Sequence, residues 1–221
     1  MNKLRLGILA SGGGTNLQSI IDRCHDNSID AEIVVVISNN QDAGALQRAE
    51  KAGISTLCID HRTFAAREDF DREVVAALQA AQVELVVLAG FMRIISQVFL
   101  DAYPQQIINI HPALLPSFPG LHVQKKALEY GAKFSGCTVH FVDGGVDTGA
   151  IITQAVVPIL DDDTEDSLAA RILEQEHKIY PQAIQLIAQN KLRIAGRRVQ
   201  VTSSQEPTEQ GLINPPLPLA D

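Results

Sequence analysis

Two rhythms of apolar residues alternate along the chain. Short runs at 4–10, 31–38, 55–59, 85–88 and 107–111 are rich in Leu, Ile and Val, while 16–24, 42–52, 64–81 and 96–102 carry apolar residues at helical spacing. The run Ile33-Val34-Val35-Val36-Ile37 is apolar on both faces, as in strands buried between helix layers. Strand and helix in alternation predict a parallel sheet with right-handed crossovers. After Gly120 the rhythm changes. A short helix is predicted over 122–130, then paired strands over 137–142 and 150–157, joined by Asp143-Gly144-Gly145-Val146-Asp147-Thr148-Gly149. A long helix is predicted over 164–190, opened by caps and early acids that suit the helix dipole, with Pro181 kinking it or ending part of it. The expected fold is α/β: a single Rossmann-like domain, a mostly parallel twisted sheet with helices on both faces and an antiparallel C-terminal portion. The domain is expected over 1–202. The stretch 203–221, with Pro207, Pro215, Pro216 and Pro218, is expected to be a flexible tail.

The chemistry begins at Asn109-Ile110-His111-Pro112. Side chains alternate along a strand, so Asn109 and His111 share a face, and Pro112 stops the strand just beyond them. Strand carboxyl ends are where open α/β sheets bind ligands. There an amide can donate to a developing oxyanion and an imidazole can move a proton. A polar strand end bonding to a loop reads equally well from this pair alone. Asp147 lies in a glycine-bearing loop that can fold over a site or form an ordinary hairpin turn; a carboxylate brought beside His111 would favour the charged imidazole. Gly90-Phe91-Met92-Arg93 also follows a strand, and Phe91 and Met92 can line a pocket for a flat ligand or belong to the core.

Ser11-Gly12-Gly13-Gly14-Thr15-Asn16 joins the first strand to the first helix. Glycines let a ligand approach the backbone, and a helix start favours an anion. A dinucleotide fingerprint needs a third glycine where Leu17 stands and an acid where the second strand ends in Asn39-Asn40. A single phosphate fits better, and a tight turn with a polar cap is the plainer reading.

Composition narrows the partners. With 46% hydrophobic and 20% charged residues the chain can build a globular core. A net charge of -8 leaves no basic excess for nucleic acid, although a small anionic ligand in a local pocket stays open. Cys24, Cys58 and Cys137 are scattered, without a Cys-x-x-Cys pair, as for reduced thiols in a cytoplasmic protein. His111, His122 and His140 lack metal-ligand spacing, so no metal is expected. No apolar run reaches membrane-spanning length, so no membrane partner is expected.

Taken in order, Ser11-Gly-Gly-Gly-Thr-Asn16, Ala89-Gly-Phe-Met-Arg93, Asn109-Ile-His-Pro112, Leu114-Leu-Pro116, Pro119-Gly-Leu-His122, Val139-His140-Phe141, Asp147-Thr-Gly149 and Gln175-Glu-His177 closely resemble the phosphoribosylglycinamide formyltransferase family, folate-dependent enzymes of purine synthesis. The resemblance spans roughly residues 4–190. Asn-x-His with a distant Asp is shared with the wider formyl-transfer enzymes, including the methionyl-tRNA formyltransferases and formyltetrahydrofolate hydrolases. The glycine loop, Pro-Gly-Leu-His and Gln-Glu-His point to the glycinamide ribonucleotide branch.

The resemblance implies that Asn109, His111 and Asp147 are the catalytic trio. It implies that Gly14, Thr15 and Asn16, with Leu173, Glu174, Gln175 and Glu176, hold glycinamide ribonucleotide. It assigns Arg67, Met92, Arg93, Ile94, Ile95, Asn109, Asp143, Gly144, Gly145 and Val146 to 10-formyltetrahydrofolate, the formyl-donating co-substrate. The implied partners are these two small molecules, and the assembly is open between monomer and homodimer. In the implied reaction the substrate amine attacks the formyl carbon, Asn109 and charged His111 stabilise the oxyanion, and Asp147 keeps His111 charged. Other readings remain: a hydrolase or tRNA formyltransferase using the same donor, or a non-catalytic Rossmann-like module binding a phosphate ligand.

Overall fold

Along Leu85–Leu88 the side chains alternate between two cores: Leu85 and Val87 enter one, Val86 and Leu88 the other. Such a strand must be covered on both faces, and the computed structural model, which describes residues 3–202, shows how. Nine strands among the described residues form one sheet: β1 (Leu4–Leu9), β2 (Ala31–Ser38), β3 (Thr56–Cys58), β4 (Leu85–Leu88), β5 (Ile107–His111), β6 (Phe134–Phe141), β7 (Ile151–Pro158), β8 (Leu192–Ala195) and β9 (Arg198–Val201). Their order is β3-β2-β1-β4-β5-β6-β7-β9-β8. β3, β2, β1, β4 and β5 run parallel, and β6 and β7 join antiparallel. The helices are α1 (Thr15–His25), α2 (Gly44–Lys51), α3 (Arg67–Ala80), α4 (Gln97–Ala102), α5 (Val123–Tyr130) and α6 (Glu165–Ala188).

One core collects Leu17 and Ile20 of α1, Ala45 of α2, Ala127 of α5 and Ile172 and Tyr180 of α6. The other collects Phe70, Val74 and Leu78 of α3 and Phe99 of α4. The expected mostly parallel α/β sheet with helices on both faces and an antiparallel end is thus the observed one. No helix among the described residues is long and apolar enough to cross a membrane. On β5, Ile108 and Ile110 point into the α6 core, so Asn109 and His111 face the α3/α4 side.

Several local expectations change. Helix α3 starts at Arg67 instead of residue 64, because His61–Thr63 forms a 3-10 turn closed by the Asp60 carboxylate, which accepts from the Arg62 N–H at 2.9 Å. Strand β6 starts at Phe134 instead of residue 137: Gly136 does not interrupt it but pairs with Val156, where a Cβ would lie 1.9 Å from the Ala155 carbonyl oxygen. Helix α6 runs on through Pro181, since Tyr180, Pro181, Ala183 and Ile184 are all buried and their packing outweighs one lost helical bond. The hairpin β8–β9 alternates apolar and polar residues over only four residues per strand, and Leu192, Ile194 and Val199 lie partly buried against the core. The tail expected from 203 lies outside the described residues.

The fully buried Tyr180 ties α6 to the sheet. Its hydroxyl lies 2.9 Å from the Leu88 carbonyl oxygen and 3.2 Å from that of Ile108, donating at the ends of β4 and β5. Tyr180→Phe is expected to lower stability by about 1 kcal/mol, the net worth of one buried hydrogen bond. Urea unfolding should show a lower midpoint with an unchanged slope; an unchanged midpoint would mean the hydroxyl adds nothing.

Candidate active site

At the carboxyl end of β5 the antiparallel partner β6 brings two further polar residues into line. Asn109 pairs with His140 and His111 with Thr138. His140 is buried, and its Nδ1 lies 2.8 Å from the Phe141 carbonyl oxygen, which assigns the ring proton to Nδ1. Its Nε2 is then an acceptor, and the Asn109 amide Nδ2, 3.3 Å away, donates to it. Burial pushes the His140 pKa below its ordinary value, with the Phe141 carbonyl and Asp147 acting in the opposite sense.

His111 is also buried, and each ring nitrogen faces an acceptor. Nε2 lies 2.9 Å from the Phe118 carbonyl oxygen and Nδ1 3.3 Å from Asp147 Oδ2. The Gly120 N–H donates to the same Asp147 oxygen at 2.8 Å, while Oδ1 lies 3.7 Å from His140 Nε2. Asp147 holds this place in a left-handed backbone conformation, φ 55°. Its loop is tied internally by the Thr148 hydroxyl, which donates to Asp143 Oδ1 at 2.6 Å, and externally by Arg197, which donates to the Thr148 carbonyl at 3.0 Å.

These groups form the floor of a cavity of about 590 Å³. Leu88, Phe91, Met92, Ile94, Ile95 and Val142 give it apolar walls. Of the residues assigned to the folate, Met92, Arg93, Ile94, Ile95, Asn109, Asp143, Gly145 and Val146 line it. Gly144 and Arg67 do not: Gly144 lies in the same loop, and Arg67 opens α3 and pairs with Glu68 at 3.4 Å. Arg93 stacks its guanidinium over the Phe70 ring at 5.1 Å. The Ser11 hydroxyl accepts from the Met92 N–H at 2.9 Å and donates to Asn39 at 2.6 Å, linking the glycine loop to this wall.

The glycine loop and α6 make a second group of contacts, outside the cavity lining. Gly14 is the N-cap of α1 with φ 75°, and a Cβ there would lie 2.7 Å from Ala45 Cα. The Asn16 amide donates to Glu176 Oε2 at 2.7 Å, joining α1 to α6 across 160 positions. Glu176 is buried, and burial raises its pKa against the lowering effect of that bond. Leu173, Glu174 and Gln175 occupy the preceding turn of α6.

Sequence reasoning weighed His140 as a metal ligand and as part of the Val139-His140-Phe141 motif, gave it no place in the site, and passed over Thr138 and Gln154. The alternation of β6 opposite β5 was the signal that could have found His140. No group of three or more His, Cys, Asp or Glu among the described residues could hold a metal ion. Cys137 is buried, its thiol pushed up to about 12, which leaves it no nucleophilic part at neutral pH.

The family model described as formyl transferase matches residues 4–184. Phosphoribosylglycinamide formyltransferase of Escherichia coli is 44% identical over 191 residues, covering 86% of this chain and 90% of that one. The trifunctional purine biosynthetic protein adenosine-3 of Drosophila melanogaster is 55% identical over 185 residues, and the chain spans only 14% of its length. The crystal structure of glycinamide ribonucleotide transformylase 1 from Symbiobacterium toebii is 50% identical and superposes with a TM-score of 0.90 over 91% of this chain and 95% of that one.

The buried Glu176 generates a pH prediction. Its folded pKa is raised, so both states are neutral well below the ordinary carboxyl range, and above that range the unfolded chain ionises first. Its contribution to stability therefore falls as pH rises through the folded pKa. Glu176→Gln keeps an acceptor for Asn16 and removes the ionisation. The variant should melt above the wild type near about pH 8, the gap closing toward about pH 4. Parallel melting curves at every pH would show that burial of this carboxyl costs nothing.

Proposed function

The chain belongs to the formyl transferase family, and on that premise we propose that it transfers a formyl group from 10-formyltetrahydrofolate to the amine of glycinamide ribonucleotide, a step of purine synthesis. The observation that carries the reading is the meeting of Asn109, His111 and Asp147 on the floor of one apolar-walled cavity. Met92 and Ile94, 71% and 61% exposed at the cavity, are large apolar side chains that a flat folate ring would cover. The glycine loop and Glu176 supply an anion-favouring helix start and a buried carboxyl for the ribonucleotide. We assign residues 1–202 to this catalytic unit.

In this mechanism the amine nitrogen attacks the formyl carbon and a C–N bond forms. The carbonyl electron pair moves to oxygen. The Asn109 amide and charged His111 donate to that oxyanion. Two acceptors, Asp147 and the Phe118 carbonyl, face the His111 ring, so the doubly protonated imidazole satisfies both. The substrate oxygen takes the Nε2 proton's bond by displacing the Phe118 carbonyl. Collapse of the intermediate breaks the bond to the folate nitrogen, which leaves with a proton, while the attacking amine gives one up. Asp147 holds the imidazole in orientation throughout.

Two expectations follow for turnover. His111→Ala and Asn109→Ala should each lower kcat by about 100-fold or more while the protein stays folded. Near-normal turnover in either purified variant removes that residue from the mechanism. Gly14→Ala places a side chain in a left-handed conformation, about 1–2 kcal/mol of strain, and against Ala45. It should raise KM for glycinamide ribonucleotide far more than KM for the folate; equal weakening toward both would make the loop a purely structural turn.

A further inference from the structure

The pairing that sets Thr138 beside His111 continues one strand further, because Thr138 also pairs with Gln154 of β7. His111, Thr138 and Gln154 thus form a row across three strands. Thr138 has no exposed surface, and its hydroxyl is fully used. It donates to the Ala113 carbonyl at 2.7 Å and accepts from the Leu115 N–H at 3.1 Å and from Gln154 Nε2 at 3.0 Å. Gln154 Nε2 also donates to the Leu115 carbonyl at 2.9 Å. All the backbone groups involved belong to the segment that leaves His111. A few residues on, the same segment lays the Phe118 carbonyl on His111 Nε2 and the Gly120 N–H on Asp147.

We propose that Thr138 and Gln154 are positioning residues for formyl transfer, acting through the segment 112–120 to fix the His111 ring and the Asp147 carboxylate. The inference rests on the formyl-transfer reading for its kinetic consequence, but not for its structural one. The segment contains Pro112, Pro116 and Pro119, which have no N–H to anchor it. Its start is held at Ala113 and Leu115 by these two side chains. Loss of these bonds loosens the start of the segment, and a shift carried along it to Phe118 and Gly120 disturbs the acceptor at Nε2 and the carboxylate at Nδ1 together. A side chain that merely filled space beside His111 would leave both contacts intact when its hydroxyl alone is removed.

The test uses Thr138→Val, which keeps the shape and removes the hydroxyl, Thr138→Ser, which restores it, and Gln154→Ala at an exposed position where folding is safe. In the wild type the His111 Nε2 proton, held by the Phe118 carbonyl, should give a slowly exchanging imidazole NMR signal. Thr138→Val should lose it, Gln154→Ala should broaden it, and Thr138→Ser should keep it. Steady-state kinetics should show kcat reduced by about tenfold or more in Thr138→Val, with KM for glycinamide ribonucleotide little changed and most of the loss recovered in Thr138→Ser. If Thr138→Val fails to fold, Gln154→Ala decides through the same signal and kcat. A retained ring signal with wild-type kcat in the folded variants overturns the inference. A wild type that forms no formyl product overturns the formyl-transfer reading instead, and the ring signal still decides the positioning role.

Discussion

The site depends on one change of direction in the sheet. Up to β5 every neighbour is parallel; β6 returns antiparallel and sets His140 beside Asn109 and Thr138 beside His111. A further parallel strand on the same sheet would need a crossover, and a crossover helix covers a face. Here the connection between β5 and β6 sends α5 to the α6 side, where Ala127 joins the core, and lays the segment after His111 near the strand ends. The opposite face beyond Ile107 keeps its polar row and its cavity.

That row divides labour by surroundings alone. Two histidines lie on one face within reach of one carboxylate, yet their hydrogen-bond settings differ. His140 commits Nδ1 to its neighbour's carbonyl and keeps Nε2 as an acceptor, which fixes the orientation of the Asn109 amide. His111 meets an acceptor at each nitrogen. The contrast arises from backbone carbonyls, those of Phe141 and Phe118, more than from any difference between the rings.

Much of this was legible in the chain. Period-two alternation placed Asn109 and His111 together, and the apolar runs located the strands of the parallel half closely. The glycine loop was legible because a tight strand-to-helix turn demands residues that accept φ above zero, as Gly14 does. Contacts across the sheet were not, because register is set by partners far away: His140 and Thr138 become neighbours of the site only once β6 finds β5. The hairpin β8–β9 escaped because each strand is only four residues long, so the alternation that turns Leu192, Ile194 and Val199 to the core is too brief to stand out. Of the two outcomes expected at Pro181, a kink or an end, the end does not occur, because the burial around it outweighs the local rule.

The bond between Asn16 and Glu176 has a consequence for how the molecule comes into being. The ribosome delivers Asn16 early and Glu176 160 positions later. At about 5–20 residues per second the first waits roughly ten to thirty seconds for the second. Strands β1, β2, β4 and β5 are all synthesised before α6, which supplies the lid of their apolar face with Ile172, Tyr180 and Ile184. Until α6 emerges that face is covered only in part, by α1 and α2. The last long helix both closes the core and brings Asn16 its partner, so vectorial synthesis makes the two arrive in the same step.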